Sequence, residues 1–402
     1  MNVLFLSPNY PREMQDFTRG LGEVGATVVG VGDSPVESLV PKVKHALAHY
    51  VRASLSDRDA VLAGARRTGL RFDRVECLWE PFVELAAELR VALDCPGMRP
   101  DVARGFRDKE LMKQRVEAAG LRVPHHARAS TVEEVKRAAD TIGFPLIVKP
   151  IDGAGSADTF RVENGRELDV VIQRTRHVAE VSVEEFVEGE EFTFDTVSID
   201  GRPAFFNLSQ YLPRPLEARS NEWISPMVVV LRDVDDPKYA DGIRLGLGVL
   251  DALQMGSGYT HMEWYRKADG EVVFGEIGAR SPGGHLVDQM NFSNDIDLYR
   301  EWARAVCWKS FEAPVRRLYN VAIVFKRAEG QGRIQRIDGL DAFMHRYGAH
   351  VATEELLRPG QQRRDWLQTL VSDGFIVVRH PDLHTCLRIA EKVQTEVRLY
   401  AG

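Results

Sequence analysis

Two neighbouring stretches decide the fold of this chain: Tyr259-Thr260-His261-Met262-Glu263-Trp264 and Val272-Val273-Phe274-Gly275-Glu276-Ile277-Gly278-Ala279-Arg280. Asp269-Gly270 lies between them and is a common two-residue hairpin turn. Such a turn pairs Ala268 with Glu271 and, further along the strands, Glu263 with Glu276. Two carboxylates paired in this way lie about 5 Å apart between their Cβ atoms and repel unless a cation separates them. The hairpin therefore predicts a site for a hard cation such as Mg²⁺, and a solvated hairpin with two unrelated glutamates is the alternative.

Two further side chains accompany this hairpin. Arg280 follows the second glutamate and precedes Ser281-Pro282-Gly283-Gly284-His285, so its guanidinium is predicted to reach a phosphoryl group beside the metal. His261 lies two residues before Glu263 and therefore on the same strand face. It is a candidate contact for substrate or metal, and a structural role is an equally good interpretation.

A second candidate region ends the apolar strand Phe144-Pro145-Leu146-Ile147-Val148-Lys149-Pro150. A lysine at the end of such a strand is expected to face a cleft with an anionic partner, and a phosphate fits. The loop Asp152-Gly153-Ala154-Gly155-Ser156 follows and can present backbone N–H groups to phosphate oxygens, although most such loops are simple turns. Lys109, at a predicted helix start, is by itself an ordinary surface lysine.

Five glutamates lie in the stretch Glu184-Glu185-Phe186-Val187-Glu188-Gly189-Glu190-Glu191, directly after a predicted apolar strand. A run of charges is usually a solvated face. Here Phe186 and Val187 interrupt the run, and an extended segment of this type can offer backbone groups to an adenine edge while a later carboxylate accepts from a ribose hydroxyl. A nucleotide contact is therefore the second interpretation.

Bulk properties exclude several classes of function. The 402 residues carry a net charge of -7 with scattered Lys and Arg, so we expect no nucleic-acid partner. The four cysteines are far apart and are interpreted as reduced thiols, and Cys386 with His380 and His384 lacks the second ligand cluster of a zinc site. No window approaches 18 apolar residues and the first residues lack a signal pattern, so we expect a cytoplasmic protein without a membrane partner.

The chain is long enough for two or three packed units. Residues 1–100 open with a β-α-β pattern but lack G-x-G-x-x-G, which predicts a Rossmann-like domain without a dinucleotide site. Residues 101–310 are predicted to form the central domain, with a small α+β lobe at about 120–187. In that lobe a helix over 131–142 begins with Ser130 as its cap and Glu133 three residues on. Residues 311–402 are predicted to form a C-terminal α/β unit.

Taken in order, these motifs resemble the ATP-grasp superfamily over residues 105–310: Lys109, Val148-Lys149-Pro150 with its glycine loop, the glutamate run at 184–191, His261-x-Glu263 and Glu276-x-x-x-Arg280. The flanking units resemble those of its carboxylate-amine ligases, which include amino-acid ligases. The resemblance implies an α/β ATP-grasp fold, with a Rossmann-like N-terminal domain, two α+β lobes that clamp ATP, and a C-terminal α/β unit. It implies an enzyme that forms an amide or peptide bond through an acyl phosphate and releases ADP and phosphate.

The resemblance also implies roles for the matching residues. The implied nucleotide contacts are Lys109, Lys149, Ser156, Glu184, Glu185, Phe186, Val187 and Glu191. Within this set the lysines contact the phosphates, Glu184 and the backbone after it hold adenine, and Glu191 holds the ribose. Glu263 and Glu276 are the implied ligands of Mg²⁺, or of Mn²⁺ in its place. Arg280 and Lys149 are the implied catalytic residues, and Arg280 stabilises the acyl phosphate.

Three positions depart from the superfamily pattern or extend it. Gly278 stands where many members have asparagine as a further metal contact. Ala157-Asp158 replaces the basic residue that often follows the glycine loop, and Arg161 is the candidate substitute. Glu80 lies at the strand end Trp79-Glu80-Pro81, where open α/β sheets place ligands, and is a candidate substrate contact.

The substrates are expected to be a small carboxylic acid and an amine, with amino acids in first place. Arg214, Arg219 and Trp223 lie in a loop on the expected acceptor side. A homodimer is the base-rate expectation for an enzyme of this size. The alternatives are a carboxylase or a formate- or bicarbonate-activating relative, and a non-catalytic ATP-binding regulatory protein.

Overall fold

The computed structural model describes residues 1–151, 158–369 and 371–402 of the chain. Its first part contains, in chain order, β1 (Asn2–Leu6), α1 (Met14–Glu23), β2 (Thr27–Gly32), α2 (Pro41–Ala46), β3 (Leu47–Arg52), α3 (Arg58–Arg67), β4 (Arg74–Glu76), α4 (Val83–Ala92) and α5 (Pro100–Gly105). The four strands are parallel in the order β3-β2-β1-β4. The strands β1 and β2 are buried apolar runs, as is typical of parallel strands covered by helices. The predicted parallel opening is confirmed, whereas the partly exposed edge strand β3 had no apolar pattern to predict it.

A small antiparallel sheet follows in the lobe that precedes the central sheet. Its elements are α6 (Lys109–Ala118), β5 (His126–Ala129), α7 (Val132–Ile142), β6 (Leu146–Pro150), β7 (Phe160–Val162), α8 (Gly165–Arg174) and β8 (Val181–Glu185). Its strands lie in the order β5-β8-β6-β7. Helices α7 and α8 pack on the sheet through a small apolar core that includes Val135, Leu168 and Val148.

The predicted cap of α7 is wrong by one residue. Thr131 is the cap: its hydroxyl accepts from the N–H of Glu134 at 3.2 Å, and the Glu134 carboxylate accepts from the Thr131 N–H at 3.2 Å. Ser130 and Glu133 offer the same pair of groups one residue earlier. The structure uses the later pair, in a helix that buries Val135 and Ala139 against the sheet.

The remaining strands and helices are, in chain order, β9 (Glu190–Ile199), β10 (Arg202–Leu212), α9 (Pro215–Ser220), β11 (Met227–Val230), α10 (Ala240–Ala252), β12 (Gly258–Arg266), β13 (Val272–Gly278), α11 (Leu286–Asn294), α12 (Leu298–Trp308), β14 (Asn320–Phe325), β15 (Glu329–Gly330), β16 (Ile334–Asp338), α13 (Leu340–Tyr347), β17 (Val351–Leu356), β18 (Gly374–His380), α14 (Leu383–Glu396) and β19 (Arg398–Ala401). Eight of these strands form one antiparallel sheet in the order β13-β12-β9-β10-β11-β14-β18-β17. The strands β14, β17 and β18 come from the predicted C-terminal unit and extend this central sheet. These strands cross the predicted boundary between the central domain and the C-terminal unit, so a boundary near residue 310 stays a proposal.

The two faces of the central sheet have different neighbours. One face packs on α10 through Phe192, Val229 and Trp264. The other face packs on α11, α12 and the first part of the chain, and includes Val228 and Phe325. On strand β12 this second face continues with His261 and Glu263, since side chains two residues apart share a face. Among the described residues, no helix is long and apolar enough to cross a membrane.

Candidate active site

The paired glutamates lie on the hairpin of β12 and β13. Glu263 lies opposite Glu276, which confirms the predicted pairing. The predicted two-residue turn is wrong, because the N–H of Lys267 donates to the Glu271 carbonyl at 2.9 Å and closes a three-residue loop. A bulge at Gly275 compensates for the extra loop residue and restores the pairing at the glutamates. A Cβ atom on Gly275 would lie 2.8 Å from the Glu263 carbonyl oxygen, so the bulge requires a glycine.

Two of the predicted phosphate contacts meet one of these glutamates. The Lys109 Nζ lies 3.2 Å from Oε1 of Glu276, and the Lys149 Nζ lies 3.8 Å from its Oε2. Lys149 also lies 3.1 Å from Oε2 of Glu184. Burial alone would lower the pKa of Lys149, but Glu184 and Glu276 raise it above its ordinary value. The lysine is therefore fully charged at neutral pH.

Lys113 is a site residue that the sequence interpretation missed. It lies one turn after Lys109 on α6, is almost wholly buried, and places its Nζ 2.6 Å from Oε1 of Glu184. Both oxygens of Glu184 thus face lysines. Burial would raise the pKa of this carboxyl, but Lys113 and Lys149 hold it well below its usual range. The spacing of four residues from Lys109 was the available signal, because such residues share one helix face.

His261 is held from behind by a buried carboxylate. Its Nδ1 lies 2.5 Å from Oδ1 of Asp195 on β9, and its Nε2 lies 3.7 Å from Oε1 of Glu263. Burial would lower the pKa of the imidazole, but Asp195 raises it to about 9. His261 is therefore a cation at neutral pH, and it lowers the pKa of Glu263 against the effect of burial. Tyr211 donates to the same Glu263 oxygen at 3.2 Å.

Arg214 occupies the pocket predicted for the nucleoside. Its Nε donates to Oε2 of Glu191 and its Nη1 donates to the Val187 carbonyl, both at 2.8 Å. Its guanidinium also lies over the rings of Phe186 and Tyr265, at 4.9 and 4.7 Å from their centroids. Burial and the nearby Glu263 raise the pKa of Glu191 to about 7, and Arg214 opposes that rise. A nucleoside that binds here must share these contacts with Arg214 or displace it.

Other predicted nucleotide residues take different positions. The Glu185 carboxylate points to Arg122 at 2.8 Å, and its backbone N–H donates to the His125 carbonyl. Arg161 places its guanidinium 4.0 Å from the centroid of the Phe186 ring. Ser156 and the rest of the glycine loop at 152–157 lie outside the described residues, so the nucleotide contact of Ser156 stays a prediction.

Arg280 and Glu80 meet across the junction of the first part with the central sheet. The Arg280 Nε donates to Oε2 of Glu80 at 2.5 Å, and Nη1 of Arg107 donates to Oε1 at 2.5 Å. Burial alone would raise the pKa of Glu80, but the two arginines hold it below its ordinary value. Glu80 therefore contacts arginines in this structure, whereas the sequence predicted a substrate contact.

One cavity of about 410 Å³ collects the described residues of the predicted site. It is lined by Glu80, Lys109, Lys149, Glu184, Glu185, Phe186, Val187, Glu191, His261, Glu263, Glu276 and Arg280. Tyr211 and Arg214 complete this part of its wall. The cavity continues over an apolar end formed by Met14, Leu78, Met227, Val228, Leu286 and Phe325. The fold thus brings residues from three parts of the chain to one cleft.

The donor set fits a magnesium ion that shares its coordination with phosphates. Among the described residues, no group of three or more His, Cys, Asp or Glu side chains is arranged to hold a metal alone. The paired carboxylates of Glu263 and Glu276 are the candidate ligands. Mg²⁺ commonly takes one or two carboxylates and completes its shell with substrate phosphates and water.

Comparison with known proteins finds a family match in the central part of this chain. Residues 106–214 match the family model of the ATP-grasp domain. This match and the fold confirm the predicted resemblance to the ATP-grasp superfamily and the predicted fold class.

Individual relatives agree with this class. The L-arginine-specific L-amino acid ligase of Bacillus subtilis is 24% identical over 330 residues, which cover 80% of this chain and 77% of that protein. The crystal structure of an L-amino acid ligase from Bacillus licheniformis has a TM-score of 0.79 at 21% identity and covers 100% of this chain and 98% of its own. Phosphoribosylglycinamide synthetase from Anaerococcus prevotii has a TM-score of 0.71 at 15% identity, with 100% and 99% coverage.

Proposed function

We propose that this protein is an ATP-dependent carboxylate-amine ligase that forms an amide bond through an acyl phosphate and releases ADP and phosphate. The observation that carries the proposal is the single cavity in which the Glu263–Glu276 pair faces Lys109, Lys149 and Arg280. Phosphoryl transfer needs positive charge on the phosphates and a metal between them, and this set provides lysines, an arginine and metal-binding carboxylates. The names of the amino acid ligases similar to this chain support the same reaction type.

The charge pairs in the cleft support a way in which ATP and Mg²⁺ would be received. Lys109 and Lys149 neutralise Glu276 in this structure. When nucleotide binds, the lysines would turn to phosphate oxygens and Glu263 and Glu276 would hold Mg²⁺, so that each charge keeps an opposite partner. The ion would supply neutralisation of the charge that develops on the β- and γ-phosphates.

The chemistry follows in two balanced steps. An oxygen of the acid's carboxylate attacks the γ-phosphorus, the bond to the β-phosphate oxygen breaks, and ADP leaves. The amine nitrogen then attacks the carbonyl carbon of the acyl phosphate, the C–O bond to phosphate breaks, and the amine gives up a proton. Arg280 stabilises the negative charge of the acyl phosphate and of the tetrahedral species. No protein nucleophile is needed, and Lys149 orients the transferred group.

Amino acids are the substrates that we propose for both positions. The apolar end of the cavity suits an acid or amine with an apolar side chain, because Val228 and Phe325 form part of its wall. Both Bacillus ligases similar to this chain are named for amino acid substrates.

The test is phosphate release from Mg-ATP with pooled L-amino acids and small carboxylates, each pool alone and together. We expect release that needs both an acid and an amine, and a mass-detected amide product. Glu276→Gln, which keeps the side-chain volume but loses the charge, should abolish release. Release with bicarbonate or formate alone would favour the carboxylase alternative, and ATP binding without release in any pool would favour a regulatory protein.

A further inference from the structure

Glu80 belongs to the first part of the chain, yet its carboxylate ends in the cavity that holds the proposed reaction. It lies in a short turn after β4, on the side of the parallel sheet that faces the central hairpin. Its two oxygens accept from two different arginines, Arg107 before α6 and Arg280 after β13. The three side chains therefore join the first part of the chain, the segment before α6 and the end of the hairpin.

We propose that Glu80 is a positioning residue that acts through Arg280, a role that rests on the proposed ligase function. The Arg280 Nε donates to Glu80 at 2.5 Å and its Nη1 donates to the Ser281 carbonyl at 3.0 Å. These two hydrogen bonds hold the guanidinium in one orientation. The orientation of Arg280 toward the reacting phosphoryl group is thus set by Glu80, and Arg107 holds Glu80 from its other oxygen.

Gly278 provides the space in which these two side chains meet. A Cβ atom at this position would lie 2.9 Å from Oε2 of Glu80 and 3.1 Å from Cγ of Arg280. A side chain at 278 would therefore push apart the contact that orients the arginine. This gives a reason for the glycine at a position where many superfamily members have asparagine.

The geometry distinguishes this role from direct substrate binding. Each oxygen of Glu80 accepts from an arginine, so the two arginines already compensate the negative charge that would attract a substrate ammonium. The side chain is also nearly buried, with 13% of it exposed. Removal of the Glu80 charge leaves the Arg280 guanidinium without its carboxylate partner, so the first consequence is a change in the position of Arg280.

The test is a double-mutant cycle with Glu80→Gln and Arg280→Met, run on the acid and amine found in the pooled assay. Glu80→Gln keeps the volume of the side chain, and we expect it to lower kcat by about 100-fold because a misplacement of about 1 Å has that effect. The KM for ATP should stay within about twofold. In the Arg280→Met background, Glu80→Gln should change kcat by less than about twofold, because its target is gone.

Gly278→Ala tests the same idea without removing a charge. It should lower kcat in wild type and have little effect in the Arg280→Met background. Gly256→Ala is the matched control, since no atom lies within 4 Å of a Cβ there and it should keep wild-type turnover. Glu76→Gln is the structural control: it breaks the buried pair between Glu76 and Arg90 at 3.4 Å, outside the cavity, and should lower the unfolding temperature but not kcat.

Each outcome decides the proposal. Loss of the Glu80→Gln effect in the Arg280→Met background supports it. An equal loss in both backgrounds, or a KM for acid or amine that rises in both, contradicts it and makes Glu80 a substrate contact. If Glu80→Gln lowers the unfolding temperature and changes kcat no more than Glu76→Gln does, the role of Glu80 is structural. A wild type that releases no phosphate in any pool refutes the proposed function itself, and the role of Glu80 with it.

Discussion

Buried charges in and beside the cavity face side chains of opposite charge. Lys113 illustrates the principle, since it is wholly enclosed and its pKa is lowered by burial despite the attraction of Glu184. Lys149 shares the same carboxylate. Such an arrangement costs solvation free energy and persists only where each member stays paired. The loss of one member therefore affects both folding and the site.

Lys113→Met should destabilise the protein by roughly 3 kcal/mol, because it leaves Glu184 buried with one lysine instead of two. The free energy of unfolding from urea titration measures this loss. Lys136→Met is the matched control, since Lys136 pairs with Asp169 at 2.9 Å on the exposed surface. Its effect should stay below about 1 kcal/mol. Equal effects of the two substitutions would contradict the importance of the buried pair.

At the scale of elements, the first part is fixed to the central sheet by a close helix contact. Helix α1 crosses α12 at Gly20, where a Cβ atom would lie 2.7 Å from the Tyr299 carbonyl oxygen. Phe17 on the same helix packs edge-on against Trp302 at 5.0 Å between ring centroids. Glycine at position 20 therefore sets the distance between the two helices. The position of Glu80 at the cavity depends on that distance.

Gly20→Ala should lower the free energy of unfolding by about 1–3 kcal/mol, because backbone atoms of α12 would have to move. Gly165→Ala, at the first residue of α8 with open space around it, is the control and should leave stability unchanged or raise it by up to about 1 kcal/mol. Circular dichroism melting of the two variants compares them. If Gly20→Ala is as stable as Gly165→Ala, the backbone of α12 moves at little cost in free energy, and glycine at position 20 does not set the distance between the helices.

Elements also show what the sequence could and could not predict. The facing of Glu263 and Glu276 was predicted, but from a turn that is one residue too short and without the bulge at Gly275. The two errors cancel, since each shifts the register by one residue in opposite directions. A glycine that forms a bulge has no local signal to distinguish it from any other glycine. The predicted pairing was therefore correct, although the predicted turn and the predicted strand register near it were wrong.

Residues that act across elements were the hardest to predict. Asp195 contacts His261 from another strand, and Lys113 contacts Glu184 from a helix. For Asp195 the signal in the sequence was a carboxylate within a largely apolar strand, and for Lys113 it was the spacing of four residues from Lys109. The contact of Glu80 with Arg280 joins residues 200 positions apart, so no local pattern encodes it. Motif order predicted the cleft, because each motif carries its own strand or loop. The residues that contact each motif residue are determined by tertiary packing, so they could be identified only from the three-dimensional structure.

At the scale of the whole molecule, the cleft lies between the antiparallel lobe and the central sheet. Lys149 and Glu184 come from the lobe, and Glu276 comes from the sheet. A ligand that contacts both must hold them together. Binding free energy then appears as stability of the assembled cleft.

Mg-ADP at 100 times its Kd should therefore raise the free energy of unfolding by about 2.7 kcal/mol. The midpoint of thermal unfolding should rise accordingly. Removal of Mg²⁺ with EDTA should reverse most of this effect, because the phosphates then face Glu263 and Glu276 without a metal. In Glu276→Gln the dependence on Mg²⁺ should weaken. A midpoint that ADP raises equally with and without Mg²⁺ would contradict the metal site.

Transfer of oxygen-18 from the acid substrate to phosphate tests whether an acyl phosphate forms. The acid substrate is labelled in its carboxylate, the ligase reaction is run with unlabelled Mg-ATP and amine, and the released phosphate is analysed by mass spectrometry. We expect one labelled oxygen in each phosphate, because a carboxylate oxygen attacks the γ-phosphorus and leaves with it. Amide product together with unlabelled phosphate would contradict the acyl phosphate and with it the proposed mechanism.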